Sequence, residues 1–121
     1  MKRDMDLIRK IVLFVEAMEP NQQIEDESVQ IEGYEPSVIN YHIGLLAEAE
    51  LIKSHDVSDS GGDHWLIDRL TWKGHEFIDS ARNESVWSRA KEMIKEKGGS
   101  IPFEVMQTLL TSIAKSMLGI T

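Results

Sequence analysis

The stretch Pro36-Ser37-Val38-Ile39-Asn40-Tyr41-His42-Ile43-Gly44-Leu45-Leu46-Ala47-Glu48-Ala49-Glu50-Leu51-Ile52 changes its hydrophobic period near its end. Val38, Ile39, Ile43, Leu45, Leu46 and Ala49 recur at helical spacing and form a broad apolar face, that of a helix pressed into a core. Pro36 carries the fixed dihedral of a first turn and pushes the residue before it out of helix, so the spacing predicts a helix over 36–50. From Leu51 the pattern is that of strands. Residues 51–57 and 64–70 read as a pair, and Asp59-Ser60-Gly61-Gly62-Asp63 supplies the turn between them. A core helix that runs directly into a β-hairpin decides the fold.

Working outward, Leu7, Ile8, Ile11, Phe14, Val15 and Met18 predict a first helix over 4–18, with Asp4 and Asp6 at its positive end and Pro20 as its stop. Residues 20–35 are polar and acidic, and only Val29 and Ile31 alternate as a short edge strand does. Beyond the hairpin, Thr71 caps a helix over 72–82 with Phe77, Ile78 and Ala81 inward. A break at 83–85 precedes a helix through Lys97 that carries Val86, Trp87, Ala90, Met93 and Ile94. Gly98-Gly99 stops it, and a last helix covers 102–118. No internal repeat or domain-sized linker interrupts the chain. The expectation is one α+β, α-rich domain over residues 1–121, a core over 1–82 with a small antiparallel hairpin sheet, and a C-terminal helical extension over 83–121.

Composition narrows the function. The 121 residues hold 13 Lys and Arg against 21 Asp and Glu, a net charge of −8 that argues against a general binder of nucleic acid or anionic membrane. With 41% hydrophobic residues the chain is apolar enough to fold. It has no cysteine, which excludes disulfides, a thiol nucleophile and thiolate-bound metal, and fits a reducing cytoplasm. No apolar run approaches the ~18 residues of a membrane span, and the charged N-terminus lacks a signal-peptide core. A cytoplasmic protein without membrane contact is expected.

His42-Ile43-Gly44-Leu45-Leu46-Ala47-Glu48-Ala49-Glu50-Leu51-Ile52 resembles the end of the recognition helix and start of the wing in bacterial winged-helix regulators, and Leu70-Thr71-x-x-Gly74 resembles the motif that follows their wing. Two departures stand out. Those regulators carry a further short helix for which residues 20–35 leave little room. Glu50 also stands where they have a glycine in a left-handed turn, a difference of roughly 1 kcal/mol. A second resemblance covers almost the whole chain. The opening Met1-Lys2-Arg3-Asp4-Met5-Asp6-Leu7-Ile8-Arg9-Lys10, with Gly33-Tyr34, Tyr41-His42, Leu70-Thr71-Trp72, Gly74-His75-Glu76-Phe77, Val86-Trp87 and Gly98-Gly99-Ser100, is similar to a family of short bacterial, phage and prophage proteins, domain of unknown function 2513. This resemblance implies a phage or prophage setting. It brings no activity and no site residues.

Three function classes compete. As a dimeric winged-helix DNA-binding regulator the protein would read DNA with Ser37, Asn40 and Tyr41 and hold phosphates with Arg82, Arg89, Lys91 and Lys95, with Lys97 in the same span. Against it, residues 11–52 hold no Lys or Arg and nine acids. The basic residues of 82–97 are interleaved with Glu84, Glu92 and Glu96, the pattern of a solvated helix face. A catalytic or metal site would rest on His55 and His64 facing each other across the hairpin, joined by Asp56 or Asp63. No zinc-type spacing, phosphate loop or nucleophile elbow accompanies them, so neither an enzyme nor a cofactor is expected. His42, at the edge of the apolar stripe, reads as a hydrogen-bonded structural residue. Protein binding is the favoured class. Its surface is the acidic stretch with Glu25, Asp26, Glu27, Glu32 and Glu35, and its partner an unidentified host or phage protein. Phe103, Met106, Leu110, Ile113 and Met117, with Leu118 and Ile120 beyond, form a stripe on the last helix that serves either the domain's own core or a homodimer.

Overall fold

A computed structural model describes residues 1–96 and 98–119. The expected end of the fourth helix at Lys97, and Ile120, lie outside the described residues. The order is α1 (Met5–Glu16), β1 (Ile24–Glu25), a single 3-10 turn (Asp26–Ser28), α2 (Pro36–Glu48), β2 (Ile52–Asp56), β3 (Trp65–Leu70), α3 (Trp72–Ala81), α4 (Glu84–Glu96) and α5 (Phe103–Met117). The fold is α+β and rich in helix, with one three-stranded antiparallel sheet in the order β1-β3-β2. Two compact units divide the chain within α3, Met1–His75 and Glu76–Thr121.

In the first unit Leu7 and Ile11 of α1, Ile43 and Leu46 of α2, and Leu51, Ile67 and Leu70 around the sheet are all but fully buried. Each such side chain contributes about 1.5–3 kcal/mol on burial. Asp4 caps α1, its Oδ1 accepting the Leu7 N–H at 3.1 Å. The Asp4 N–H donates to His42 Nε2 at 2.9 Å, and His42 Nδ1 donates to the Val38 carbonyl at 2.8 Å. With one nitrogen accepting and the other donating, the buried ring joins the start of α1 to α2.

The turn out of α2 explains the motif read there. The Leu51 N–H reaches back to the Leu46 carbonyl at 3.0 Å, and Glu50 sits at φ 59°, a left-handed helix cap made without glycine. Thr71 ties this turn to the next helix. Its N–H donates to Leu51 O at 3.1 Å, its hydroxyl donates to Glu50 O at 2.6 Å, and the same oxygen accepts the Gly74 N–H at 3.1 Å. Gly74 is required because a β-carbon there would lie 2.1 Å from Leu51 O.

The short strand falls at Ile24–Glu25, not at Val29 and Ile31. The ladder pairs Ile24 with Ile67 and Glu25 with Leu66, and then the Trp65 N–H donates to the Asp26 side chain at 2.9 Å. A carboxylate has taken the place of a backbone acceptor, so pairing stops and the chain turns. Val29 is then buried beyond the turn.

In the second unit α4 and α5 pack together, and Phe77 meets Trp87 edge-on at 6.4 Å and Phe103 at 5.3 Å. Among the described residues no helix is long and apolar enough to cross a membrane.

Candidate functional site

A groove of about 1000 Å³ opens in the first unit between residues 26–40 and the hairpin tip. Val29 and Ile39 are buried beneath it, and half-buried Ile31 and Tyr34 complete an apolar floor. Glu27, Glu32 and Asp63 stand exposed around that floor. The floor is apolar because Val29 and Ile39 belong to the buried core. The acids of the same segment are left facing water.

Asp26 is the exception. It is 6% exposed, and its carboxylate accepts from Trp65 N–H and, at 2.9 Å, from Asn40 Nδ2. His64 Nδ1 lies 3.2 Å from Oδ2. The carboxylate therefore joins the 3-10 turn, α2 and β3, and it offers nothing to a partner: the expected docking role of Asp26 is corrected to a structural one. Asn40 is spent the same way, with a second bond to the Asp63 carbonyl at 3.0 Å, so it is not free to read a base edge. Glu27 and Glu32 line the groove, while exposed Glu25 and Glu35 flank it on β1 and at the cap of α2.

His64 is one-third exposed and titrates against these acids. The hydrogen bond to Asp26 raises its pKa above the ordinary 6.5, partial desolvation opposes this, and the charges of Asp26, Asp59 and Glu27 add to the rise. The Tyr34 phenol is also raised, first by burial and then by the Asp4 carboxylate.

His55 and His64 do not meet across the hairpin. His55 pairs with Leu66 in the ladder and bonds Asp68 at 2.9 Å, whereas His64 turns to Asp26. Asp68 is held below the usual carboxylate range, chiefly by the Gln23 amide at 2.6 Å and further by His55. Among the described residues no group of three or more His, Asp or Glu side chains is placed to hold a metal ion.

The remaining candidates are dispersed. Ser37 and Tyr41 are exposed on α2. Arg82 pairs with Asp79 at 3.2 Å and Arg89 lies 3.6 Å from Glu92, while Lys91 and Lys95 are exposed on α4. On α5, Met106 and Leu110 are buried and Phe103 and Ile113 half-buried, so the expected self-association stripe is largely core. Met117 alone of the five is exposed, with Val105 and Leu118. Sequence reading missed Tyr34 and His64 as groove residues, because their places depend on Asp4 and Asp26, distant in the chain.

A family model described as "Hypothetical protein (DUF2513)" matches residues 2–100. A protein of Haemophilus influenzae described as "Uncharacterized protein" is 33% identical over 119 residues, which span 98% of this chain and 99% of its own. No solved structure matches the chain.

Proposed function

The chain belongs to the family described as "Hypothetical protein (DUF2513)", and we propose that this member is a non-catalytic winged-helix module of phage or prophage origin that binds a basic segment of a partner protein in the cytoplasm. The observation that carries the reading is the groove itself. An apolar floor is ringed by Glu27, Glu32 and Asp63, and among the described residues no Lys or Arg lines it. That is the complement of a peptide carrying Lys or Arg beside an aliphatic side chain: apolar contact supplies affinity, and the acids supply steering and specificity.

The winged-helix part is supported by the order helix, short strand, helix, hairpin and by the β1-β3-β2 sheet. The 3-10 turn at Asp26–Ser28 stands where such regulators have their additional helix. In that frame α2 and the hairpin tip are the surfaces a regulator would turn to DNA, and here they carry acids, with Asn40 bonded internally.

The test is fluorescence anisotropy of a short labelled peptide of arginines around one leucine, titrated with the full chain. Saturable binding that weakens about tenfold or more in Glu27→Lys/Glu32→Lys is expected. Absence of binding, or equal binding by the variant, refutes the groove reading. Random-sequence duplex DNA is run in parallel across a salt series. Tight binding at low salt that falls steeply as salt rises would put the DNA regulator in its place.

A further inference from the structure

Between residues 11 and 75 the chain has thirteen acids and only three cations, Lys53, Arg69 and Lys73. Lys53 and Arg69 line one depression of about 570 Å³ at the open end of the hairpin, together with His75 and Trp72, and Lys73 follows Trp72 in the chain. Lys53 and Arg69 are partners across the β2–β3 ladder. Trp72 and Lys73 begin α3, held in place by the Thr71 cap and the close approach at Gly74. Lys73 Nζ donates to the Ala49 carbonyl at 3.2 Å and Arg69 Nη1 to the Leu70 carbonyl at 2.9 Å, both neutral acceptors. Among the described residues none of the three cations forms an ion pair. Trp72 is 81% exposed, the largest exposed hydrophobic side chain among the described residues.

A lone exposed aromatic residue requires no explanation. An exposed indole in one depression with Lys53 and Arg69, two of the only three cations of an otherwise acidic sixty-five-residue stretch, is a different matter. Trp and Arg are the side chains most often found at the energetic centre of protein interfaces, and unpaired cations bind carboxylates without first breaking an internal bridge. We propose that this depression is a second docking site, independent of the acidic groove, and that it takes an acidic peptide segment bearing an apolar side chain. Carboxylates meet Lys53 and Arg69, and the apolar group lies against Trp72.

Single-stranded nucleic acid also combines negative charge with a stacking surface. The surroundings favour a peptide. Glu50 lines the same depression, and Glu16 and Glu19 line the adjoining one, which shares Lys53, Arg69 and His75. A strand with a phosphate at every nucleotide runs off the two cations onto these carboxylates. A peptide can place its acids where the cations are and leave neutral residues elsewhere.

The experiment is anisotropy of a short labelled peptide of aspartates around one phenylalanine, titrated with the full chain, with labelled oligothymidylate as the parallel probe. The expected result is saturable peptide binding, weakened about tenfold or more by Trp72→Ala and by Lys53→Glu/Arg69→Glu. Glu27→Lys/Glu32→Lys, which tests the groove, should leave it unchanged. All substituted side chains are exposed, and circular dichroism checks that each variant is folded. No binding by the wild-type chain, or equal binding by the patch variants, overturns the proposal. So does Trp72-dependent binding of oligothymidylate tighter than that of the peptide, which assigns the site to nucleic acid.

Discussion

The two ends of the hairpin are built on opposite principles. At the tip, four carboxylates, Asp26, Glu27, Glu32 and Asp63, line a groove with an apolar floor, and one of them, Asp26, is withdrawn from the surface to hold the floor together. At the base, two cations and an indole from three separate elements stand around a depression, and neither cation has a carboxylate bonded to it. At the tip a charged group is consumed as structure. At the base the structure is made by neutral groups, Thr71, Gly74 and backbone carbonyls, and the charges are left over. The stability of each end should therefore respond to different chemistry, and that is the difference to break.

The largest effect is expected at the base. Gly74→Ala puts a methyl group 2.1 Å from Leu51 O, a backbone atom already accepting the Thr71 N–H. No flexible side chain can yield there, so α3 must shift, at about 3 kcal/mol. Urea unfolding measures the loss, and a variant within a few tenths of a kcal/mol of wild type would show that the approach is looser than described. Asp26→Ala strikes the tip. It strands the Trp65 N–H and the Asn40 amide and removes the partner of His64, a loss of about 2–3 kcal/mol by the same measurement. Asp26→Asn keeps an acceptor for Trp65 and should recover part of it. Equal stability of Asp26→Ala and wild type would return Asp26 to the surface role its neighbours have.

These contrasts also explain what the sequence could and could not convey. The helix-to-strand switch at Leu51, the cap at Thr71 and the stops at Pro20 and Gly98 are local, and local patterns were legible. The left-handed turn at Glu50 was legible too, since the motif places a glycine there. Asp26 was misread because its burial is set by Asn40, His64 and Trp65, fourteen to thirty-nine positions away. The floor of the groove was half legible: the acids are contiguous in sequence, but Val29 belongs to a turn and not to a strand. The basal depression was not legible, because Lys53, Arg69 and Trp72 become neighbours only through ladder register and the approach of α3 to the α2 turn.

A smaller effect joins both ends of that turn. Glu50 adopts φ 59° without glycine, a strain that a glycine would relieve at some cost in unfolded-chain entropy. Glu50→Gly should stabilise the protein by about 0.5–1 kcal/mol. It also removes a carboxylate from the basal depression, so the aspartate-rich peptide should bind more tightly. Glu50→Gln separates the two contributions: it removes the charge and keeps the strained backbone. If Glu50→Gln leaves peptide affinity where it was, Glu50 does not face the bound anion.

The smallest effect is the dependence of the tip on pH. The Asp26 hydrogen bond raises the His64 pKa above its unfolded value of 6.5. Folding therefore favours the protonated ring. The contribution is present in full below about pH 6.5 and is lost as pH rises through the folded pKa. The stability difference between wild type and His64→Gln should accordingly be largest in mild acid and shrink toward alkaline pH, a trend that urea midpoints across the range will show. Binding runs the other way. When His64 loses its proton, a positive charge disappears beside Glu27, and the groove becomes more attractive to the arginine peptide while the fold loses its ion pair. Stability and affinity at the tip should thus move in opposite directions over the same pH interval, and His64→Gln should flatten both curves. Affinity that rises with pH equally in His64→Gln would place the titrating group elsewhere.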